Sequence, residues 1–299
     1  MLAPRFTHFA AVDWSGAAGE RHHGIAVAIC GQGNAAPELV RPGHRWSRAE
    51  VLDWLVAQAP PATICGFDLS TSLAHADAGA YFPGWNASPP HARALWAMVE
   101  TLCAADPHLG VSSFVDHPDL AAYFRRPGGR EGARFNVDGT PGGRGRMRLT
   151  EDHQAKAGCQ PTSNFNLVGA AQVGKASLAG MRLLHRLPRD IAVWPIDPVP
   201  PAGKVVVEIY TTIAAMAAGR PARASKIRTP AELDTALGQL ASAPLATPTS
   251  PVAPLTDHAA DALITAAWLR HQAARPELWH PPALTDKIAH TEGWTFGVA

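Results

Sequence analysis

The sequence predicts an α/β fold in which helices flank a mixed β-sheet. Residues 6–12 and 24–30 show two apolar strand patterns joined by a glycine-containing turn, which is typical of a β-hairpin. A weaker strand pattern follows at residues 39–40. A capping box at residues 47–50 then starts a helix, and another apolar strand pattern covers residues 62–68. This order of elements is typical of a mixed sheet that helices cover.

The remainder of the chain continues this alternation. Helical patterns cover residues 89–105, 173–187, 229–241 and 256–273, and apolar strand patterns cover residues 191–196 and 204–210. Residues 125–148 are rich in arginine and glycine, so we expect a mobile loop that contributes nothing to the core. Four prolines indicate an extended linker at residues 243–254. We predict one domain over residues 1–299, with a helical and loop insertion over residues 75–190 that contains the arginine-rich loop.

The composition indicates a soluble globular protein. Of the 299 residues 46% are hydrophobic and 17% are charged, and the net charge of +1 gives no overall attraction to nucleic acid or membrane. The four cysteines include no Cys-x-x-Cys pair, which argues against a disulfide framework or a cysteine zinc site. The N-terminus lacks a signal-peptide pattern, and no apolar run approaches the roughly 20 residues that span a bilayer. We therefore expect a cytoplasmic protein with no membrane partner, and the oligomeric state stays open.

Four acidic residues stand where an ionised carboxylate is costly. Asp13, Asp68 and Glu208 lie in or at the ends of apolar strand patterns, and Asp261 lies inside an apolar helical pattern. Such carboxylates need a cation or several hydrogen-bond donors. Neighbouring strands lie about 4.8 Å apart, so acids at corresponding strand ends come within reach of one shared cation. An all-oxygen site suits Mg²⁺ or Mn²⁺.

The last predicted helix carries two further candidate ligands. At about 100° per residue, Asp257 and His258 lie roughly 40° and 60° from Asp261 around the helix axis. All three share a flank beside an apolar stripe formed by Ala260, Ile264, Ala267 and His271. If this stripe packs on the sheet, the flank can lean over the strand ends. Asp257 is equally well explained as a helix cap and His258 as a surface residue, so both readings stay open.

Five short motifs follow one another in a specific order, at residues 12–17, 66–70, 207–210, 257–263 and 292–298. Together they resemble domain-of-unknown-function family 429 (DUF429), which is described as predicted nucleases of the RNase H fold. The resemblance runs nearly end to end and implies a five-stranded mixed sheet whose first three strands are antiparallel. The motif from His258 to Leu263 also resembles the C-terminal helix of RuvC-type Holliday-junction resolvases.

The resemblance implies roles for the acidic residues. Asp13 and Asp68 correspond to ligands on the first and fourth strands, and Asp261 corresponds to the helix ligand, joined by Asp257 or His258. Glu208 corresponds to a glutamate–tyrosine motif that proline commonly follows. Here a threonine, at position 211, follows instead.

The implied chemistry is two-metal hydrolysis of a phosphodiester, with all four acids around Mg²⁺ or Mn²⁺. Lys226 or Arg148 would bind the substrate and neutralise charge in the transition state. The expected partner is nucleic acid, whose backbone the arginine-rich loop can track, or a smaller phosphodiester.

Two other classes of protein stay open. An actin-like or sugar-kinase-like ATPase also begins with a strand aspartate and a glycine turn, but it needs a second glycine-rich phosphate loop. Residues 169–176 nearly match a P-loop, yet Ala176 stands where the magnesium-binding hydroxyl belongs. The third class is a non-catalytic binding module on the same fold, which a failure to bind metal would support.

Overall fold

The computed structural model describes residues 5–136, 143–169, 172–223, 226–245 and 255–299. The strands are β1 His8–Asp13, β2 Ala26–Gly31, β3 Glu38–Leu39, β4 Thr63–Phe67, β5 Arg125–Arg126, β6 Arg130–Glu131, β7 Ala192–Trp194 and β8 Val205–Glu208. The helices are α1 Arg48–Asp53, α2 Ala92–Leu102, α3 Ser112–Val115, α4 Leu149–Lys156, α5 Val173–His185, α6 Thr211–Ala217, α7 Pro230–Gln239, α8 Asp257–Gln272, α9 Pro276–Trp279 and α10 Asp286–Thr291. The chain is thus a mixed α/β protein, as predicted.

One sheet organises the molecule, with strand order β3-β2-β1-β4-β8-β7. The first three strands are antiparallel neighbours, whereas β1, β4, β8 and β7 run parallel to one another. The sheet has six strands, so the expected number of five is wrong. The sixth is β7, which pairs with β8 and forms one edge of the sheet.

Side chains alternate between the two faces of the sheet and join two separate cores. Val12 and Phe67 belong to the core that includes residues of α2 and α5. Ala11 and Ile64 belong to the core on the other face, where α8 packs across β1 and β2. This alternation determines which acidic side chains lie on the same face of the sheet.

Helix α8 is buried on nearly all sides, whereas the sequence predicted a single apolar stripe. Ala260, Ile264 and Ala267 are buried as expected, but His271 is exposed. Residues 262–270 are all buried because α6 and α7 pack against the side of α8 that faces away from the sheet. None of the helices in the described ranges combines the length and apolar character needed to cross a bilayer.

Parts of the arginine-rich stretch are buried, whereas the sequence predicted that it contributes nothing to the core. It begins with the β5–β6 hairpin, and Phe135, Arg146 and Arg148 are buried. The two arginines can be buried because carboxylates compensate their charge, with Asp77 binding Arg146. Residues 137–142 lie outside the described residues, as do 170–171 of the near P-loop and 246–254 of the predicted linker.

Candidate active site

Asp13 and Asp68 stand at the carboxyl ends of two neighbouring parallel strands, level with each other in the sheet. Asp13 ends β1 and Asp68 directly follows β4, in a register that pairs Val12 with Phe67. The Asp68 N–H continues this register by donating to the Val12 carbonyl oxygen at 2.9 Å. Both aspartates follow residues of the opposite face, so alternation turns their side chains toward the α8 face.

The turn after β1 is fixed against α5. The Trp14 indole N–H donates to the Ala176 carbonyl oxygen at 3.0 Å. A Cβ atom at Gly16 would lie 2.6 Å from the Ala176 backbone nitrogen, so only glycine permits this approach. The resulting contact holds the chain immediately after Asp13 in place.

Helix α8 brings His258 and Asp261 to the strand ends. The Thr256 hydroxyl caps the helix by accepting from the Ala259 N–H at 3.1 Å. His258 Nδ1 lies 3.2 Å from Asp13 Oδ2. The Asp261 carboxylate accepts from the Lys226 ammonium at 2.6 Å. The N-terminal part of α8 and Lys226 therefore lie next to the carboxylates at the strand ends.

These groups line one cavity of about 360 Å³. Its titratable lining residues are Asp13, Asp68, Arg148, Glu151, Glu208, Tyr210, Lys226, His258 and Asp261. Asp68 also accepts a hydrogen bond from the Thr211 hydroxyl at 3.2 Å. Asp257 is absent from this lining, and its carboxylate lies 3.6 Å from the Arg228 guanidinium. Of the two helix candidates, only His258 therefore joins the cavity.

The cavity is lined by more acidic side chains than basic ones. Burial, followed by the charges of Asp13 and Asp261, raises the pKa of Asp68 to about 8. Burial also raises the pKa of Asp13, although His258 acts in the opposite direction. The hydrogen bond to Asp13 raises the pKa of His258. Burial lowers the pKa of Lys226, but the bond to Asp261 together with the charges of Asp261, Asp13 and Asp257 leaves that pKa raised.

Glu208 also lines this cavity, but its side chain lies on the opposite face of the sheet from the aspartate pair. It is level with Phe67 in the β4–β8 register and therefore shares the face of Val12 and Phe67. Arg148 binds both of its oxygens, at 2.8 and 2.5 Å. Thr71, through its N–H and hydroxyl, and the Thr295 hydroxyl donate to the same carboxylate.

This network keeps Glu208 ionised. Burial raises its pKa, but the charge and hydrogen bonds of Arg148, together with the hydrogen bonds from Thr295 and Thr71, leave the pKa lowered. Arg148 also binds Glu151, and only 1% of its surface is exposed. In the structure Arg148 is thus the counter-charge of two buried glutamates. Glu151 was not among the residues predicted from the sequence, where its one signal is its place three residues after Arg148 in a helical segment.

The donor set fits a hard divalent cation, although its members are engaged with one another. Carboxylate and hydroxyl oxygens are the ligands that Mg²⁺ and Mn²⁺ prefer. Across the described part of the chain, no three His, Cys, Asp or Glu side chains are grouped closely enough to hold a metal ion as they stand. Lys226 and His258 instead bind the carboxylates of Asp261 and Asp13.

Comparisons of the chain with protein-family models, with curated proteins and with solved structures gave no match. The fold and the cavity therefore define the class of protein by themselves. It is a mixed α/β protein with a carboxylate-lined cavity at the carboxyl ends of two parallel strands.

Proposed function

We propose that this protein is a metal-dependent hydrolase of phosphodiester bonds, a nuclease on an RNase H-like fold. One observation carries the proposal: Asp13, Asp68 and Asp261 come from three different elements into one cavity, where their charges oppose one another. A structural role would favour fewer acids or more donors in this place. A cation site explains why three carboxylates are kept together.

The proposed ligands are the carboxylates of these three aspartates, with Mg²⁺ or Mn²⁺ as the cation. When bound, such an ion polarises a phosphoryl oxygen and lowers the pKa of a coordinated water. Glu208 has a different role in this proposal because Arg148, Thr71 and Thr295 already engage both of its oxygens. It positions the strand end and does not bind the cation directly.

Two cationic side chains suit a phosphodiester substrate. Among the described residues, Lys226 forms an ion pair with Asp261, and 54% of its side chain is exposed. It can therefore exchange this carboxylate for a phosphate oxygen and attract the substrate. His258, whose raised pKa favours the imidazolium form, also lines the cavity and can supply a proton to the leaving oxygen.

Hydrolysis assays with matched variants test the proposal. The substrates are bis(p-nitrophenyl) phosphate and fluorescently labelled single-stranded and double-stranded DNA and RNA, each with Mn²⁺. We expect wild-type turnover that EDTA abolishes, and a loss of at least about 100-fold for Asp13→Asn and Asp261→Asn. Asp53→Asn, an exposed acid on α1, is the control and should retain full activity.

Two outcomes would oppose the proposal. One is turnover that is unchanged in both cavity variants. The other is no turnover of any substrate by folded wild-type protein. If no substrate is hydrolysed, thermal stabilisation by ATP would favour the ATPase class. Absence of both ATP stabilisation and metal binding would favour a binding module.

A further inference from the structure

A second, larger cavity of about 1540 Å³ lies on the same face of the sheet as α8. Its walls come from the chain around the start of β1, the C-terminal part of α8, α9 and the segment that follows β7. It shares no lining residue with the aspartate cavity. Arg270, which lines it, stands nine residues after Asp261 on α8, or about 13.5 Å along the helix axis. The two cavities are therefore separate sites.

Aromatic rings form much of the wall. Phe6 and Trp279 stack with centroids 6.0 Å apart and planes 17° apart. Trp194 meets Trp279 edge to face at 5.7 Å. Rings in these orientations offer flat apolar surface to a planar ligand. The walls alone would accept many apolar groups, so the polar side chains decide the ligand class.

Arg270 is the most informative polar side chain of this cavity because its residue is only 6% exposed. Its Nη1 donates to the carbonyl oxygens of Ala35, at 2.7 Å, and Gly31, at 3.4 Å. Its Nε and Nη2 atoms have no hydrogen-bond partner among the described residues. Donors of a buried charged group that stay unsatisfied are costly, so a missing acceptor is indicated.

A second guanidinium strengthens the positive character of the cavity. Arg5 lies 4.5 Å from the centroid of the Phe6 ring, and none of its three side-chain nitrogens has a partner in the described ranges. Two acids also line the cavity, but Asp197 is held by Arg93 and by the Val193 N–H. The other, Asp286, is exposed. The buried charge of this cavity is therefore positive.

We propose that this cavity binds an aromatic carboxylate. The Nε and Nη2 atoms lie on one edge of the planar guanidinium group, and this edge matches the two oxygens of a carboxylate. The acid group would accept from this edge of Arg270, with Arg5 as a second positive charge. The aromatic body would pack against the half-buried ring of Trp279. This proposal stands independently of the proposed hydrolase activity.

Calorimetric titration of the full chain with matched probes tests the ligand class. The probes are 2-naphthoate, its neutral analogue 2-naphthamide and 2-naphthyl phosphate. We expect 2-naphthoate to bind at least about tenfold more tightly than the amide, because only the acid presents two charged acceptors to Arg270. Equal affinities for acid and amide, or no binding of either, would overturn the proposal. Tighter binding of the phosphate would overturn the carboxylate assignment.

Variants place the ligand in this cavity. Arg270→Lys keeps a positive charge but loses the two-donor edge, so we expect about tenfold weaker binding of 2-naphthoate, and Arg5→Gln should weaken it as well. Arg275→Gln is the control, since this exposed arginine pairs with Glu277 and does not line the cavity. Unchanged binding in folded Arg270→Lys and Arg5→Gln proteins would contradict the proposal. If Arg270→Lys fails to fold, Arg5→Gln and the wild-type probe comparison still decide.

Discussion

At Asp68 the proposed function conflicts with stability, because burial and two neighbouring carboxylates disfavour the ionised form that would bind a cation. Its carboxyl group lies beside Asp13 and Asp261, and its only hydrogen-bonded side-chain partner among the described residues is Thr211. The pKa of about 8 means that the metal-free folded protein holds a proton there at neutral pH. A cation that binds to this carboxylate must therefore displace that proton.

The raised pKa of Asp68 predicts how its contribution to stability changes with pH. The folded state keeps this proton up to a pH of about 8, whereas the unfolded state loses it near pH 4. The contribution is therefore fully present below pH 4 and is lost as pH rises to about 8. Asp68→Asn carries no such pH-dependent loss. We therefore expect the stability of this variant relative to wild type to be about 3–4 kcal/mol greater at pH 8 than at pH 5. Urea unfolding in EDTA measures this, and a pH-independent difference would contradict it.

Lys226 predicts a second measurable effect, on the affinity for metal. Its ammonium binds Asp261 and competes with any cation for that carboxylate. Lys226→Met should therefore tighten Mn²⁺ binding by roughly threefold to tenfold, while lowering the melting temperature of the metal-free protein. Lys226→Arg keeps the charge and is the control, with expected affinity within about twofold of wild type. Weaker Mn²⁺ binding by Lys226→Met would show that the lysine supports the site.

Part of this spatial arrangement could be predicted from the sequence. Asp13, Asp68 and Asp261 stood out because acids are expensive in apolar strands and helices, and the structure does bring them to one cavity. The face of the sheet on which the Glu208 carboxylate lies could not be predicted. It depends on whether Glu208 pairs with Phe67 or with the next residue, and a shift of one residue would reverse its face.

At the scale of elements, one buried ionic network joins β8, α4 and the C-terminal segment. Arg148 precedes α4 and binds Glu208 at the end of β8. The same arginine donates to the Glu292 carbonyl oxygen, and the Thr295 hydroxyl donates to Glu208. The network therefore fixes the end of β8 relative to the rest of the sheet and supports the rim of the aspartate cavity.

Removing the arginine from this network should be strongly destabilising. Arg148→Met leaves Glu208 and Glu151 buried without their counter-charge, so we expect the free energy of unfolding to fall by about 3–5 kcal/mol. Arg148→Met with Glu208→Gln should recover part of this loss, since fewer buried charges stay uncompensated. Arg144→Met is the control and should cost under about 1 kcal/mol, because that residue is exposed and, within the described ranges, its side chain donates to the Pro161 carbonyl oxygen. Urea unfolding decides, and strictly additive losses would contradict the network.

Elements with strong local signals were predicted better than short ones. The capping boxes at Ser47 and Thr229 start α1 and α7 as expected, because a cap and its partner lie three residues apart. The strand pattern over residues 204–210 was too long. The chain leaves the sheet after Glu208, and the seven-residue α6 begins at Thr211. β-Branched residues gave no local signal for this helix.

At the scale of the whole molecule, the parallel strands produce the site. The strands β1, β4 and β8 end at the same edge of the sheet, so residues far apart in sequence become neighbours there. Hydrophobic patterns predicted the strands and the helices that cover them. They could not predict the pairing order of the sheet, because that order depends on long-range packing of α8 on one face and α5 on the other.

Titration calorimetry of Mn²⁺ into the whole protein at pH 7 tests the central claim most directly. We expect wild type to bind Mn²⁺ with release of a proton, visible as a heat that depends on the ionisation enthalpy of the buffer. Asp13→Asn and Asp261→Asn should each weaken binding at least about tenfold, while Asp53→Asn should leave it unchanged. Wild-type protein that binds no Mn²⁺, even with a non-hydrolysable phosphodiester present, would contradict the carboxylate cation site.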